Sequence, residues 1–441
     1  KVQDIISRVD RAHETPMFHR IVALVAAGML MDSIDVYIGS AVASSALATH
    51  WSTVAQNSTF MSAGFLGLLV GSLLAGFVGD LKGRRVAYQI NLLLFGGFTF
   101  LGAFAPNMAV LSLCRLGAGL GLGAEIVTGF AMVNEFAPMN RRGHWCAIVS
   151  LVANCGVPIA MLLCAWIIPR WSWRPLFVAI GLGAAIIWWL RRDIPESPRW
   201  LAVHGRYDEA DAIVKQLEAN GSELIDAAAK ADTSDTRNAG GRSLGICLLV
   251  AVVAVAATNV CSYAFTSWVP TILVKRGINL SSSLLTSTAM MLGAPVGCLI
   301  GSLLIDRIGR KRTILIGIVM LGTAFFAGIF FHSVSPLLYI FFALAGMGWA
   351  FINVNSYPMV VELSKGSDVG KYTGYYYTVS MTAQIFTPIL SNILMEHVGY
   401  RTLFPYAAFF VFASFVTMLF VRHGDARPVA KKGLEALDVD D

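Results

Sequence analysis

Charged residues are scarce in this chain. They form 14% of its 441 residues, whereas soluble domains contain about 25%, and hydrophobic residues rise to 56%. A soluble chain of this length would hold roughly two or three domains. So low a charge content excludes that class and predicts an integral membrane protein.

The sequence also lacks the residue patterns of an enzyme or a metal protein. All seven cysteines lie in apolar runs and none forms a C-x-x-C pair, so we expect free thiols that pack as small core residues. It contains no metal-ligand cluster, nucleophile–base set or phosphate-binding loop. We therefore predict no enzymatic activity, no cofactor and no metal.

Two further classes of feature are missing. The net charge of +6 comes without an RNA- or DNA-binding motif, so no nucleic-acid partner is expected. No cleavable signal peptide is expected either, because the first apolar run, from Ile21, is too long for a signal-peptide core and no small-residue cleavage pattern follows it.

Long apolar runs take the place of the missing charge. Twelve runs of about 20 residues are present, the length at which a helix crosses a hydrocarbon core of about 30 Å. With a cytoplasmic N-terminus, the external loops hold few cations and most other lysines and arginines fall on the cytoplasmic side. This bias predicts an all-α membrane protein with both termini in the cytoplasm. The external cations are Arg170, Arg174, Lys275, Arg276 and Arg401.

The runs divide the chain into two halves joined by a polar linker. The linker contains apolar positions at helical spacing over 208–217, which predicts a short amphipathic helix. The predicted segments are a cytoplasmic N-terminal segment (1–20), an N-terminal six-helix bundle (21–192), a cytoplasmic linker (193–243), a C-terminal six-helix bundle (244–421) and a cytoplasmic tail (422–441).

A short turn that combines an acid, glycine and several cations occurs twice. The first charged turn covers 76–85 and the second covers 302–312, and their acids, Asp80 and Asp306, are 226 residues apart. A repeat at half the chain length predicts two related halves. We expect these turns and nearby charges to form a latch on the cytoplasmic face; the alternative is anchoring by positive charge alone. The predicted latch residues are Asp80, Arg84, Arg85, Glu135, Arg142, Glu196, Arg199, Asp306, Arg310 and Glu362.

Four ionisable residues lie inside predicted spans, where charge is costly and usually functional. Asp32 and Asp35 lie three residues apart on one face of the first span. Arg115 and Glu125, ten residues apart in the fourth span, can face one cavity. Asp35 is the natural partner for Arg115, which predicts a proton-coupling pair.

Other readings of these residues stay open at this point. One of the two aspartates could cap its helix or lie at the external interface. Glu125 is a second protonatable group, a substrate contact or a neutral buried side chain. Three acids against one arginine make a multiply charged anion a poor substrate.

Polar side chains inside several spans predict a site for a small polar solute. Span ten carries two asparagines and a tyrosine before Pro358, which favours an irregular helix beside a cavity. The predicted solute-binding residues are Asn154, Asn259, Tyr263, Trp268, Asn353, Asn355, Tyr357 and Gln384.

Three motifs match the pattern of a known family. The charged turns follow D-x-x-G-R-[RK], the exit of span four follows E-x-x-P-x-x-x-R-G, and residues 195–201 read P-E-S-P-R-W-L. With these motifs the chain resembles the major facilitator superfamily, in its sugar-porter and metabolite:proton symporter branches. The resemblance covers almost the whole chain and implies twelve transmembrane helices in two pseudo-symmetric six-helix bundles that work by alternating access.

The resemblance also bears on individual residues. Similarity to proton-coupled xylose symporters implies that Asp35 and Arg115 form the coupling pair, and the D-x-x-D of span one resembles that of aromatic-acid and other metabolite:proton symporters. Departures from the family pattern are Leu81 after Asp80, Ser302 at the start of the second charged turn, and an exit of span ten without the sugar-porter motif. The last departure weakens the case for a sugar.

The sequence thus predicts a monomeric, proton-coupled symporter of the plasma (bacterial inner) membrane. Its expected partners are protons, the lipid bilayer and a small polar organic metabolite: an organic acid, a polyol or a sugar derivative. Two alternatives are an organic-cation or drug transporter and, in another class, a membrane sensor that binds solute without transporting it.

Overall fold

The described part of the chain is helical throughout its regular elements. The computed structural model describes residues 2–11, 14–137, 142–218, 256, 259–260, 266–330, 335–361 and 369–421. The elements are α1 (Val2–Arg11), α2 (Pro16–Ala48), α3 (Val54–Lys82), α4 (Arg84–Gly102), α5 (Met108–Phe136), α6 (Arg142–Ile167), α7 (Arg174–Arg191), α8 (Pro198–Val203), α9 (Tyr207–Glu218), α10 (described over 266–275), α11 (Leu280–Ile308), α12 (Arg310–Phe330), α13 (Pro336–Val361), α14 (Val369–Val398), a short 3₁₀ turn (Tyr400–Thr402) and α15 (Leu403–Phe420).

The long helices follow the predicted apolar runs. Among the described residues, eight helices are long and apolar enough to cross a membrane. Helices α2–α7 and α11–α15 contain the centres of predicted spans one to six and eight to twelve, and α10 covers the end of span seven. Residues 208–217, the predicted linker helix, lie within α9, which has acids in its first turn and Lys215 in its last.

Most of predicted span seven, the rest of the linker, the exit of span ten and the tail lie outside the described residues.

Close helix crossings in both halves depend on glycine. A Cβ added to Gly67 on α3 would lie 2.2 Å from the carbonyl oxygen of Leu116 on α5, and a Cβ on Gly293 of α11 would lie 2.1 Å from that of Ala343 on α13. Small residues let helix backbones approach in a membrane, where dispersion and polar contacts drive association. The glycines at these crossings share the spacing of 226 residues that separates the charged turns: Gly67 corresponds to Gly293, and Gly71 to Gly297.

The chain forms two compact units. The first comprises Lys1–Val36, Ala63–Gly156 and Arg174–Asp235, and the second comprises Tyr37–Ser62, Val157–Trp173 and Thr236–Asp441. Phe18, Met132 and Phe136 belong to an apolar core of the first unit, and Phe325, Phe342 and Phe404 to one of the second.

The amphipathic α1 is held against α8 and α9 within the first unit. Ile5 and Val9 are buried in a small apolar cluster with Leu201 and Val214. A fully buried aliphatic side chain contributes about 1.5–3 kcal/mol. These contacts dock part of the predicted N-terminal segment (1–20), for which the sequence indicated no packing partner.

Arg8 adds polar contacts to this docking. It donates through Nη1 to Asp211 at 2.5 Å and through Nε and Nη2 to Glu218 at 2.8 and 2.6 Å. Hydrogen bonds to the two carboxylates raise the pKa of Arg8. The ammonium of Lys215 and the guanidinium of Arg8 lower the pKa of Asp211. The contribution of Asp211 to the docking of α1 is therefore present at neutral pH. It is lost as the pH falls below the ordinary pKa of aspartate, about 4.

We predict that Gly67→Ala destabilises the protein by about 1–3 kcal/mol, because the added methyl group meets a backbone oxygen that cannot move away alone. Thermal unfolding of the purified protein in detergent measures this. Gly97→Ala on α4 is the matched control, since its Cβ would meet nothing within 4 Å. Equal unfolding temperatures for the two variants would contradict the proposed crossing.

We predict that Arg8→Gln releases α1 without unfolding the helix bundle. Hydrogen-exchange protection of the amides of residues 2–11, expressed relative to the intrinsic exchange rate at each pH, should fall while protection in α5 is unchanged. Acidification of the wild type should also lower the protection of residues 2–11. Arg206→Gln is the control, because Arg206 pairs locally with Glu209 on an exposed surface. Unchanged exchange in Arg8→Gln would show that the apolar contacts alone hold α1.

Candidate functional site

The interior of the first compact unit contains two arginine–carboxylate pairs. Their side chains come from three helices: α2 supplies Asp35, α5 supplies Arg115 and Glu125, and α7 supplies Arg191. All four residues are buried. A buried ion pair is stable only when further hydrogen bonds satisfy the remaining polar atoms, so the surroundings of each pair decide what it can do.

The first pair is Asp35 with Arg115, the partners expected from the sequence. Arg115 Nη1 donates to Asp35 Oδ2, and its Nη2 donates to the carbonyl oxygens of Asp35 at 2.7 Å and Val36 at 3.2 Å. Thr99 Oγ1 on α4 donates to Asp35 Oδ1 at 3.4 Å. The guanidinium thus contacts both the carboxylate and the backbone of α2, and it fixes this part of α2 to α5.

Glycine makes room for Arg115. A Cβ added to Gly64 on α3 would lie 3.1 Å from Arg115 Cγ, and one added to Gly119 on α5 would lie 2.4 Å from the carbonyl oxygen of Gly64. The glycine-rich stretch after Arg115 therefore lets α3 and α5 pack closely while the long side chain passes between them.

The second pair is Glu125 with Arg191. Arg191 Nη1 donates to Glu125 Oε1 at 2.5 Å, and Nη2 donates to the carbonyl oxygen of Leu24 on α2 at 2.9 Å. The guanidinium carbon lies 3.9 Å from the ring centroid of Tyr88 on α4, a cation–π contact. Both charged side chains of the pair have no exposed surface.

Asp32 lies beside this second pair. A Cβ on Gly28, one turn earlier on α2, would lie 1.8 Å from Arg191 Nη2 and 2.7 Å from Glu125 Oε1. Asp32 itself is 2% exposed, and neither of its carboxylate oxygens has a hydrogen-bond partner among the described residues. The placement does not match that of a helix cap, because Asp32 lies in the middle of α2.

Arg191 was missed in the sequence. It was placed among the cytoplasmic cations because it stands next to Arg192 at the end of a span, a pattern typical of anchoring. The structure buries Arg191 and exposes Arg192. One residue corresponds to about 100° of helix rotation, which separates the two environments. The count of three acids against one arginine is therefore wrong, because Arg191 brings the number of buried arginines among the described residues to two. Thr99 and Tyr88 carried no sequence signal for their roles beside the pairs.

Three of the predicted solute-binding amides, Asn154, Asn355 and Gln384, are hydrogen-bonded within their own helix. Asn154 donates to the carbonyl oxygen of Ser150 at 2.9 Å, and Asn355 donates to that of Phe351 at 2.7 Å. Gln384 donates to a side chain one turn earlier, Ser380 Oγ, at 3.3 Å. Asn355 is fully buried, and its Oδ1 has no partner among the described residues.

The other predicted solute-binding residues differ in their surroundings. Trp268 is fully buried and donates from Nε1 to Ser391 Oγ at 2.6 Å, which joins α10 to α14. Asn353 is exposed and Asn259 is half-buried. Tyr263 and the side chain of Tyr357 lie outside the described residues.

The first charged turn is linked to two acids. Arg84 Nε donates to Glu135 Oε1 at 2.9 Å, and Arg199 Nε donates to the backbone carbonyl oxygen of Glu135 at 3.2 Å. Glu196 Oε1 accepts from the backbone N–H groups of Arg84 at 2.8 Å and Arg85 at 3.0 Å. Glu196 therefore caps the N-terminus of α4, where an anion contributes about 0.3–1 kcal/mol.

The structure does not test the latch at the other predicted latch residues. Arg310 is half-buried. The side chains of Asp80, Arg142 and Asp306, and the whole of Glu362, lie outside the described residues.

The sequence matches that of a known family of proteins over nearly its whole length. A family model described as "Sugar (and other) transporter" matches residues 22–431. The chain belongs to this transporter family. It is therefore a membrane transporter of the major facilitator superfamily and not an enzyme, and the predicted fold class is confirmed.

Two relatives and one solved structure illustrate the match. The chain is 31% identical to the inner membrane metabolite transport protein YdjE of Escherichia coli, over 90% of this chain and 91% of that protein. It is 27% identical to the niacin transporter NiaP of Acinetobacter baylyi, over 91% and 93%. The partially occluded inward-open structure of the E. coli xylose transporter XylE superposes with a TM-score of 0.73 at 16% identity, covering 94% of this chain and all of that one.

We predict that Asp35 and Arg115 are energetically coupled in this transporter. Asp35→Asn or Arg115→Met alone should destabilise it by about 3–5 kcal/mol, because each leaves an unpaired buried charge or polar group. The double variant should be more stable than the sum of the two effects implies. Thermal unfolding of all four proteins completes the cycle, and additive effects would show that the two side chains act independently.

Proposed function

We propose that this transporter is a proton-coupled symporter of a bacterial inner membrane that imports a small organic acid with a single carboxylate. The single observation that carries the proposal is the buried Asp35–Arg115 pair, which ties α2 to α5 and can be broken by one proton. Polyols and sugar derivatives are the other members of the predicted metabolite class, and the same experiment compares them.

Protonation of Asp35 changes the packing of α2. While Asp35 is ionised, Arg115 neutralises it and also donates to the backbone of α2. A proton on Asp35 removes the charge that holds the guanidinium and leaves Arg115 buried without an anionic partner. Separation of α2 from α5, or arrival of an anionic group beside Arg115, then becomes favourable. Proton uptake is thereby linked to substrate binding.

The charge count supports a monocarboxylate. Among the described residues of the first unit, three acids and two arginines are buried, a smaller excess of acid than the sequence count gave. Protonation of two acids leaves an excess of one positive charge, which matches one carboxylate. NiaP, whose substrate by its name is niacin, an aromatic carboxylic acid, is a relative along nearly its whole length.

Contacts within the second compact unit support alternating access with the external side closed. Ser44 Oγ on α2 and Thr271 Oγ1 on α10 are 3.0 Å apart, and Ser62 Oγ on α3 donates to the carbonyl oxygen of Ile385 on α14 at 2.8 Å. In the predicted orientation these contacts lie towards the outside. They join helices of the two sequence halves and would have to break for the site to open outward.

The first charged turn is proposed to act as the corresponding latch on the cytoplasmic face, which would hold that side closed in the other state. Arg84 with Glu135, and the capping of α4 by Glu196, join the ends of α4 and α5 to the segment before α8. These bonds are partly exposed, so each contributes little, and rearrangement is inexpensive compared with that of the buried pairs.

Uptake into proteoliposomes tests the proposal. The purified transporter is reconstituted and given labelled nicotinate, benzoate, a polyol or xylose, with and without an inward proton gradient. We predict that a monocarboxylate accumulates only with the gradient, and that Asp35→Asn exchanges solute but no longer accumulates it. Asp193→Asn, which changes a 59%-exposed aspartate, is the matched control and should accumulate normally.

Other results would replace the proposal. Accumulation by Asp35→Asn would reject the coupling pair, and uptake of organic cations in exchange for protons would identify a drug or cation transporter. Thermal stabilisation by a solute without any flux would identify a sensor.

A further inference from the structure

A second set of buried ionisable groups lies one helical turn from the Asp35–Arg115 pair along α2. Asp32 is 2% exposed and has no hydrogen-bond partner for either carboxylate oxygen among the described residues. An ionised carboxylate in such a place is far costlier than a neutral acid. Asp32 therefore requires either a cation or a proton.

Arg191, the cation that acts on Asp32 electrostatically, already has hydrogen-bond partners. Arg191 donates through Nη1 to Glu125 and through Nη2 to the carbonyl oxygen of Leu24. Its Nε and Glu125 Oε2 have no hydrogen-bond partner among the described residues. The guanidinium thus retains a donor, and Glu125 an acceptor, that the present arrangement does not satisfy.

The groups belong to one cluster. The space at Gly28 on α2 is occupied by Arg191 Nη2 and Glu125 Oε1, and Asp32 follows Gly28 by four residues on the same helix face. The titratable groups that face Asp32 are Asp35 on its own helix, Glu125 on α5, Arg191 on α7 and Tyr88 on α4. One guanidinium therefore stands between two carboxyl groups.

We propose that Arg191 is a counter-ion shared by Glu125 and Asp32, and that Asp32 carries a proton while Arg191 is paired with Glu125. The cluster is then neutral: one guanidinium, one carboxylate and one carboxylic acid. When Arg191 turns to Asp32, the O–H bond of Asp32 breaks and one forms on Glu125, so the proton number and the net charge stay constant.

This inference rests on the proposed proton coupling and adds a second proton site to it. Arg191 is a positioning residue here, because it decides which acid holds the proton. The carbonyl oxygen of Leu24 and the ring of Tyr88 fix the guanidinium from α2 and α4, so movement of α2 against α7 provides the means to change its partner.

Infrared spectroscopy of the full-length transporter in lipid nanodiscs tests the proton directly and needs no substrate. At neutral pH, the spectrum of the wild type minus that of Asp32→Asn should contain the C=O stretching band of a protonated carboxylic acid, and the band should shift in D₂O. Absence of that band would overturn the proposal.

Variants of the partners test whether Arg191 is shared. In Glu125→Gln, Arg191 becomes available to Asp32 and the band should disappear, whereas in Arg191→Gln both acids need protons and the band should grow about twofold. Arg191→Lys keeps the charge and should retain the wild-type band, as should the control Gly97→Ala. An unchanged band in Glu125→Gln or Arg191→Gln would show that Asp32 is a buried acid independent of Arg191.

The two proposals fail in different ways. A band that follows this pattern in a protein without proton-driven uptake would reject the symporter and keep the shared counter-ion. Proton-driven uptake without the band would reject the shared counter-ion and keep the symporter. Thermal unfolding of each variant shows that it is folded before its spectrum is compared, and Arg191→Gln replaces Glu125→Gln as the deciding variant if the latter does not fold.

Discussion

The cost of burying charge is the constraint on which the first compact unit depends. An isolated ion in an apolar interior is unstable by several kcal/mol, so each buried arginine needs an acid and each acid needs a donor or a proton. Arg115 meets this requirement at Asp35 on α2. Arg191 meets it at Glu125 on α5 and also donates to the carbonyl oxygen of Leu24 on α2. The position of α2 relative to α5 and α7 is thereby set by ionic contacts as well as by packing. Protonation does not change apolar contacts, whereas protonation of a carboxylate weakens its pair with arginine.

Glycine is what allows the charged side chains to fit. Arg191 lies against Gly28, Arg115 against Gly64, and Glu196 against Gly83, and in each case an added Cβ would come within about 3 Å of the charged side chain. Gly83 also has φ +96, a conformation that other residues rarely adopt, and it turns the chain so that Glu196 can cap α4. The glycines in these spans therefore serve two ends: some bring helix backbones together, and others form recesses for a guanidinium or a carboxylate.

The sequence revealed the class, the spans and the repeat because these depend on composition and period. The charged turns alone indicated the repeat, and the structure adds that the glycine crossings at Gly67 and Gly293 have the same spacing. The partner of Asp35 was also predictable, since Arg115 lay within a span and needed an acid. Arg191 was not, because burial at a helix end depends on which face of the helix meets its neighbours, and hydropathy does not record this. The docking of α1 was missed for a similar reason: a short amphipathic segment shows its apolar face but not the surface that covers it.

The two carboxylates of α2 are three residues apart, yet they face arginines from different helices. Asp35 is paired with an arginine of α5 that also binds the backbone of α2, whereas Asp32 lies beside an arginine of α7 that binds that backbone two turns earlier. Rotation or sliding of α2 against α5 disturbs the first pair, and motion against α7 disturbs the second. Because α5 carries both Arg115 and Glu125, it takes part in both sets of contacts. A movement of α2 that separates Asp35 from Arg115 therefore also shifts Asp32 relative to Glu125. In the proposed mechanism, the protonation of one aspartate is coupled in this way to that of the other through the rigid backbone of a single helix.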